Sequence, residues 1–379
     1  MLIKICLSFI LVVFIAFKIS AQCGGDFKID GDVDGNDAAV FAELLSRANP
    51  ENPDPINAAD LVRFAADFGR INCLLPPLAP LNLFNIGNSI GEGIAAYDDF
   101  TLATNQTHHE TVWSTGYDPV DIVYSLNERF EDINATGYYE NTASLDGIFN
   151  QAIEGDEMED FALQAGDVVG AAGSISSGTV GMITVLLGNN DVCTDELDTM
   201  TDLVLFETQY REGLNALEAS PITKNAYIHI SGIPAIYWLW ISKRSIPWCL
   251  FLFESAVPCR QLLENPDIND CVSDELDPDT IDYEGDGPNC IRRKEFHAAI
   301  RDDYNRIIRD VLMEYKVKGR LPNAYYVDIF DIQFDEIHIN GVGFLQGDCF
   351  HPSDEGHAVL AQEQWCRSPW SIDDASCEP

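Results

Sequence analysis

Basic residues are scarce in this chain. Lys and Arg together number 22 against 62 Asp and Glu, a formal net charge of −40 at pH 7 over 379 residues. A surface so acidic repels phosphate backbones and anionic headgroups, which excludes nucleic acid as an expected partner. Low-complexity tracts are missing too, and beyond the extreme N-terminus there is no long apolar run. Neither intrinsic disorder nor stable membrane insertion is therefore expected of the mature chain. What is present, 46% hydrophobic and 10% aromatic residues, is the composition of a globular protein. The length leaves room for one large domain and something small beside it.

The exceptional apolar run is Cys6–Phe17, preceded by Lys4 and followed by the small pair Ser20-Ala21 before Gln22. It is too short to span a bilayer comfortably, and the reading is a signal peptide over residues 1–21, with export as the consequence. Lys18 leaves an uncleaved anchor as the alternative. Gln22 is not the small residue that precedes a lipidated cysteine. Export changes how the eleven cysteines read. Without Cys6 they are even in number and bound for an oxidising compartment, so several disulfides are expected. Pairing does not follow from sequence, although Cys23 and Cys73 bracket one small unit and are expected to close it. The sequons at Asn105 and Asn134 would matter only in a eukaryotic secretory pathway.

That small unit is residues 22–73. Asp26, Asp30, Asp32, Asp34 and Asp37 stand at positions 1, 5, 7, 9 and 12 of a twelve-residue loop, with Gly31 at the sharp turn of position 6. Ca²⁺ needs six to eight oxygen ligands from a loop that bends around it, and this spacing supplies them. Lys28 breaks the pattern at position 3. The loop and the apolar helical stretch after it resemble a dockerin-type half EF-hand. A degenerate second copy begins at Asn57, and Pro53 and Pro55 replace ligands upstream of it. The expectation is a structural calcium ion, or a role in docking a partner, with no part in catalysis. Residues 74–80, rich in proline, read as a stiff linker.

A large domain over residues 81–379 follows. Leu81–Ile86 has strand length and runs directly into Gly87-Asn88-Ser89-Ile90-Gly91, where flanking glycines permit a tight turn at the sheet's carboxyl edge. The string also satisfies the G-x-S-x-G nucleophile elbow. Alone it is a weak signal, since many such serines merely cap helices. Far downstream, Asp348-Cys349-Phe350-His351 sets an acid and a histidine three residues apart. Between them lie Asn150-Gln-Ala152-Ile-Glu154-Gly155 and, after a strand-like Met182–Leu187, Gly188-Asn189-Asn190-Asp191.

In this order the four blocks resemble the SGNH (GDSL-like) hydrolase family over roughly residues 81–368, and the run Val185–Cys193 looks most like its phospholipase B-like branch. The resemblance implies Ser89 as nucleophile, His351 as base and Asp348 as its partner. The backbone N–H groups of Ser89 and Gly155 and the Asn190 amide would form the oxyanion hole. That chemistry needs no cofactor. It departs from the family in having Asn88 for the usual Asp and Glu154 beside an oxyanion donor. Further strand candidates at 226–231 and 325–330, with helical periodicity over 203–219 and 292–315, predict an α/β fold. They imply a parallel sheet covered on both faces, a three-layer α/β/α sandwich.

The leading function is ester hydrolysis on a small-molecule or lipid ester, lipase- or phospholipase-like. A carbohydrate acetylesterase of the same fold, and an inactive calcium-dependent extracellular binding protein, are the alternatives. His108-His109-Glu110 reads as a loop near the site's rim, His357 as part of the helix after the catalytic loop, and His229 as a satisfied strand histidine. The aromatic segment 233–259 is expected to form an acyl-binding wall or lid. Asp267–Asp286 reads as a solvated acidic loop.

Overall fold

The computed structural model describes Phe27 and residues 33–46, 56–68, 78–96, 107–134, 139–141, 146–255, 257–263, 269–340, 347–371 and 374–377. The signal-peptide run, Cys23, Cys73, residues 74–77 of the linker, Asn105 and Asp26, Asp30 and Asp32 of the acidic loop lie outside them.

Four strands form one parallel sheet in the order β1 (Leu83–Gly87), β2 (Met182–Leu186), β3 (Tyr227–Ser231) and β4 (Ala324–Val327). Leu83 pairs with Met182, Met182 with Tyr227 and Ile228 with Ala324. β1 and β2 are buried along their whole length. This explains their near-continuous apolar runs: a parallel strand with helices over both faces has no wet side to mark with polar residues. All four strands fall on segments read as strands from sequence.

Helices cover both faces, and the fold is an α/β/α sandwich. Leu203–Ala219 starts where Asp202 accepts from the Val204 and Leu205 amides, and it buries Phe206, Tyr210, Leu214 and Leu217. It packs against Phe161–Ala172 and Asn305–Val317. Asp354–Cys366 lies on β3 from another side, where Gln364 donates to the Ser231 hydroxyl. The helical stretch expected over 292–315 is two helices, Pro288–Ala299 and Asn305–Val317, joined by a π-helical turn.

Two helices precede the sheet, Gly35–Ser46 and Ala58–Asp67. They start alike. The Asp34 amide donates to Asp37 Oδ2 at 3.0 Å, and the Asn57 amide donates to Asp60 Oδ2 at 2.9 Å. Phe41 and Phe64 stack with ring centroids 4.8 Å apart. Their small core also takes in Met313 and Val317 from the helix beside β4. Arg63 donates to the Lys318 carbonyl across the same contact.

Two regions differ from expectation. The acidic stretch is folded around a buried cation: Lys294 Nζ donates to Ser273 Oγ and to the carbonyls of Asp274, Asp277 and Thr280. Asp286 accepts from Val272, Ser273 and Asp282, and these bonds hold its carboxyl well below the usual range against the opposing effect of burial. His229 sits in β3, but neither ring nitrogen has a hydrogen-bond partner among the described residues. Burial drives its pKa down to about 3, so it packs as a neutral aromatic against Tyr325 and Trp370.

Candidate active site

Ser89 stands two residues past Gly87, the last residue of β1, at the first position of a one-turn helix, Ser89–Glu92. Asn88 caps that turn by accepting from the Ile90 amide at 3.2 Å. An asparagine therefore does the work that a helix start asks of a short polar side chain. The Ser89 carbonyl accepts from the amides of Gly93 and Ile94, both at 3.0 Å, which closes the turn. Gly91 is required by close approach: a Cβ there would lie 2.9 Å from both Ala152 Cβ and Asn85 Nδ2.

The second block runs alongside β1. Gln151 donates to the Asn85 carbonyl at 2.9 Å and Ile153 to the Gly87 carbonyl at 3.2 Å. Asn85 donates to the Gly91 carbonyl and to Asn150 Oδ1, both at 3.0 Å, and Asn150 donates to the same Gly91 carbonyl at 2.8 Å. Gly155 follows with φ +85° and open space where a Cβ would stand. Glu154 is exposed, and its amide donates to Glu92 Oε2 at 2.5 Å.

The third block leaves β2 through Gly188, whose φ of +101° any side chain would oppose, into the turn Asn189–Val192. Asn190 Nδ2 donates to the Asp156 carbonyl at 2.9 Å. A primary amide has two N–H donors, so one remains for a ligand. Asp191 is buried and accepts from the Met158 amide at 2.8 Å, which ties this block to the chain just after Gly155. Burial raises its carboxyl pKa to about 6. Gln164, which no motif marks, donates to the Gly87 carbonyl and accepts from the Gly87 amide, both at 2.8 Å, and also donates to Asp156 at 2.6 Å.

The fourth block lies beyond the sheet. His351 Nδ1 is 2.5 Å from Asp348 Oδ2, while Asp348 Oδ1 accepts from the amides of Phe350 and His351 at 2.9 and 3.0 Å. Burial disfavours both charges, yet the pair stabilises itself. Asp348 falls below its ordinary value beside His351, and His351 rises above 6.5 through Asp348, with a smaller push from Glu154. His357, on the next helix, accepts from the Trp113 amide at 3.4 Å and is held neutral by burial, with a pKa of about 3.

Ser89, Asn190 and His351 line one recess of about 60 Å³. Asn88 and Asn189 also reach it, and the rest of its wall is apolar and includes Leu186, Ile236, Leu239, Phe334, Ile339 and Leu360. Gly155 is not part of that wall; it stands one residue before the carbonyl that Asn190 holds. Of the aromatic segment, only the start contributes, through Pro234, Ala235, Ile236 and Leu239. Trp238, Trp240, Trp248 and Phe253 are buried in the core, so most of the expected wall or lid is interior. Two disulfides hold this segment to the site's two ends, Cys193–Cys259 beside Asn190 and Cys249–Cys349 beside Asp348. His108–Glu110 forms a turn whose start pairs with Gly93, near the Ser89 turn but off the recess.

Asp34 and Asp37 are the described members of the acidic loop. Asp37 is buried, and its carboxylate accepts from the Phe27 and Asp34 amides. Among the described residues no group of three His, Cys, Asp or Glu side chains could hold a metal. Four disulfides among the described residues fit an oxidising environment.

No curated protein matches the sequence. A model of the GDSL-like lipase/acylhydrolase family matches residues 83–363, from the first residue of β1 into the helix after His351. With all four blocks inside that span of an α/β fold built on a parallel sheet, the chain belongs to the GDSL-like lipase/acylhydrolase family, whose members hydrolyse esters.

Proposed function

We propose that the protein is an exported carboxylic ester hydrolase that works through an acyl-serine intermediate, with Ser89 as nucleophile. The observation that carries this reading is the convergence of Ser89, Asn190 and the Asp348-paired His351 on one apolar recess.

Ser89 Oγ attacks the ester carbonyl while His351 Nε2 takes its proton. Asp348 keeps the Nδ1–H tautomer facing it and stabilises the imidazolium that forms. The carbonyl oxygen becomes an oxyanion among the N–H groups of Ser89 and Gly155 and the remaining Asn190 donor. Collapse expels the alcohol, which takes its proton from His351. Water then attacks the acyl-serine with His351 again as base, and the free acid leaves. Glu154 opposes the oxyanion's charge but is exposed, where solvent screens it.

The apolar wall favours acyl esters of lipase or phospholipase type over acetylated sugars. The recess, at about 60 Å³, is well below the roughly 150 Å³ that holds a benzene ring. It therefore encloses the first few acyl carbons, and longer chains continue along the surface. Calcium held by Asp26, Asp30, Asp32, Asp34 and Asp37 would brace the amino-terminal helices outside the chemistry. Chelation read by Tm and by turnover separates the two roles.

The test is hydrolysis of p-nitrophenyl esters from acetate to palmitate by wild type and Ser89→Ala. Turnover rising from acetate to butyrate, and lost by about 10⁴-fold or more in the folded variant, is the expected result. Turnover confined to acetate moves the assignment to an acetylesterase. A folded wild type inert on the whole series overturns the hydrolase reading for these esters.

A further inference from the structure

We propose that Asn340 is the positioning residue that sets the acid–base loop in register with the nucleophile turn. The proposal rests on the assignment of Ser89, Asp348 and His351 made above. Asn340 is 1% exposed, and no motif marks it. Its side-chain Oδ1 accepts from the amides of Asp348 at 2.7 Å and Cys349 at 3.2 Å. Its own amide donates to the His351 carbonyl at 3.0 Å. Its Nδ2 donates to the Ala95 carbonyl at 2.5 Å. One residue thus holds the backbone of the acid, of the residue after it and of the base.

The last of these bonds reaches the other half of the site. Ala95 directly follows Gly93 and Ile94, whose amides close the turn on the Ser89 carbonyl. It adopts φ +54°, a left-handed conformation that alanine disfavours because its Cβ crowds the following carbonyl oxygen. That conformation needs a partner to hold it, and Asn340 is bonded to its carbonyl. The path from Ser89 to His351 therefore runs through one amide side chain: Ser89 carbonyl, Ile94 amide, Ala95 carbonyl, Asn340, Asp348 amide. Asn340 touches no reacting atom. It acts by fixing the distance between two groups that do.

Geometry held this way affects the chemical step more than substrate binding, since a misplacement of about 1 Å can cost on the order of 10²-fold in rate. Two variants separate the parts. Asn340→Leu fills the same volume and removes every side-chain bond. Asn340→Asp keeps the acceptor for Asp348 and Cys349, loses the donor to Ala95 and adds a negative charge beside the pair.

The experiment measures p-nitrophenyl butyrate kinetics against pH for wild type and both variants. Near-UV circular dichroism and Tm check the fold, and proton NMR follows the His351 Nδ1 proton that faces Asp348, expected at low field. Asn340→Leu should lose about 10–100-fold in kcat with KM within about 3-fold, and its low-field proton should broaden or vanish. Asn340→Asp should move the acidic limb of kcat/KM to higher pH, a shift that general loosening of the fold would not produce. A folded Asn340→Leu with wild-type kcat or an unchanged low-field proton overturns the proposal. If Asn340→Leu does not fold, an Asn340→Asp with unaltered kcat and limb overturns it. Should the wild type hydrolyse no ester, the hydrolase reading has failed separately. The low-field proton then decides: retained in Asn340→Leu it refutes the positioning role, lost it supports it.

Discussion

The two halves of the candidate site are held by different means. On the nucleophile side, Ser89 is two residues from the end of a fully buried strand, and its turn, the 150–155 segment and the Asn190 turn all hang on β1 and β2. The bonds there are backbone bonds to β1 and those of side chains, Asn85, Asn150 and Gln164 among them, that close on β1 or on the turn after it. On the acid–base side, Gly347–His351 begins well after β4 ends at Val327, and among the described residues its backbone pairing is an isolated antiparallel bridge, Ile339 with Pro352, outside the sheet. It is held by Asn340, by Trp248 Nε1 donating to the Gly347 carbonyl at 3.1 Å, and by the Cys249–Cys349 disulfide across a sequence separation of 100. Ser89, the proposed nucleophile, is fixed by the fold's regular part, and His351, the proposed base, by a few side-chain clamps and a disulfide. Damage to a clamp should therefore strike catalysis while leaving the sheet intact.

The largest expected effect comes from breaking the pair itself. Asp348→Asn should lower kcat by about 10⁴-fold, because the amide favours the wrong imidazole tautomer. The sign of the pH effect is fixed by the same pair. His351 acts as base only when neutral, and its pKa lies above 6.5 because of Asp348. Wild-type kcat/KM should accordingly reach half its maximum above pH 6.5, and the residual activity of Asp348→Asn should do so at lower pH. A limb that stays put in the variant would mean that another group controls it.

Next comes the clamp. Removing the disulfide with Cys249→Ala/Cys349→Ala should cost about 10²-fold in kcat and destabilise by a few kcal/mol. The matching removal of Cys366 and Cys377, which closes a separation of only 11 near the carboxyl end, should leave kcat unchanged. Cys349 has φ +59°, so Cys249→Ala/Cys349→Gly, which adopts that conformation freely, should recover part of the lost kcat. Equal kcat losses in the Cys249/Cys349 and Cys366/Cys377 variants would erase the contrast between the two halves.

The same division governs what could be read from the sequence. Ser89 and Gly188–Asp191 are local strings whose geometry follows from a strand running into a tight turn, Asn150–Gly155 is a local string that follows a short helix and lies along β1, and the four strands were legible as apolar runs. Asp348 and His351 were legible because three residues separate them. Asn340, Trp248 and Cys249 were not. Their partners lie far along the chain or on another element, and nothing in an isolated asparagine or an aromatic run says which backbone group it will meet. The aromatic segment reads as wall or lid because its hydrophobicity shows and its bond to Gly347 does not. The acidic stretch reads as solvated for the same reason: Lys294, its buried counter-charge, sits in the next helix. His229 illustrates the converse, a polar residue whose ring is used only as an aromatic surface.

The smallest effect probes the nucleophile side from within the fold. Gly91→Ala would set a Cβ 2.9 Å from Ala152 Cβ and from Asn85 Nδ2, closer than side chains tolerate. Neither neighbour can retreat easily. Ala152 lies on a segment bonded to the Asn85 and Gly87 carbonyls, and Asn85 Oδ1 accepts from Thr184 at 2.9 Å across to β2. The strain is therefore shared by the sheet, and the expected cost is about 1–3 kcal/mol of stability, read as a lower denaturant midpoint. Because the ladder keeps Ser89 in place, kcat of the folded fraction should fall less than in the Cys249/Cys349 variant, which is less tied to the sheet. A Gly91→Ala protein with normal stability but a kcat loss exceeding that of the disulfide variant would show that the nucleophile turn, not the acid–base loop, is the easier half to displace.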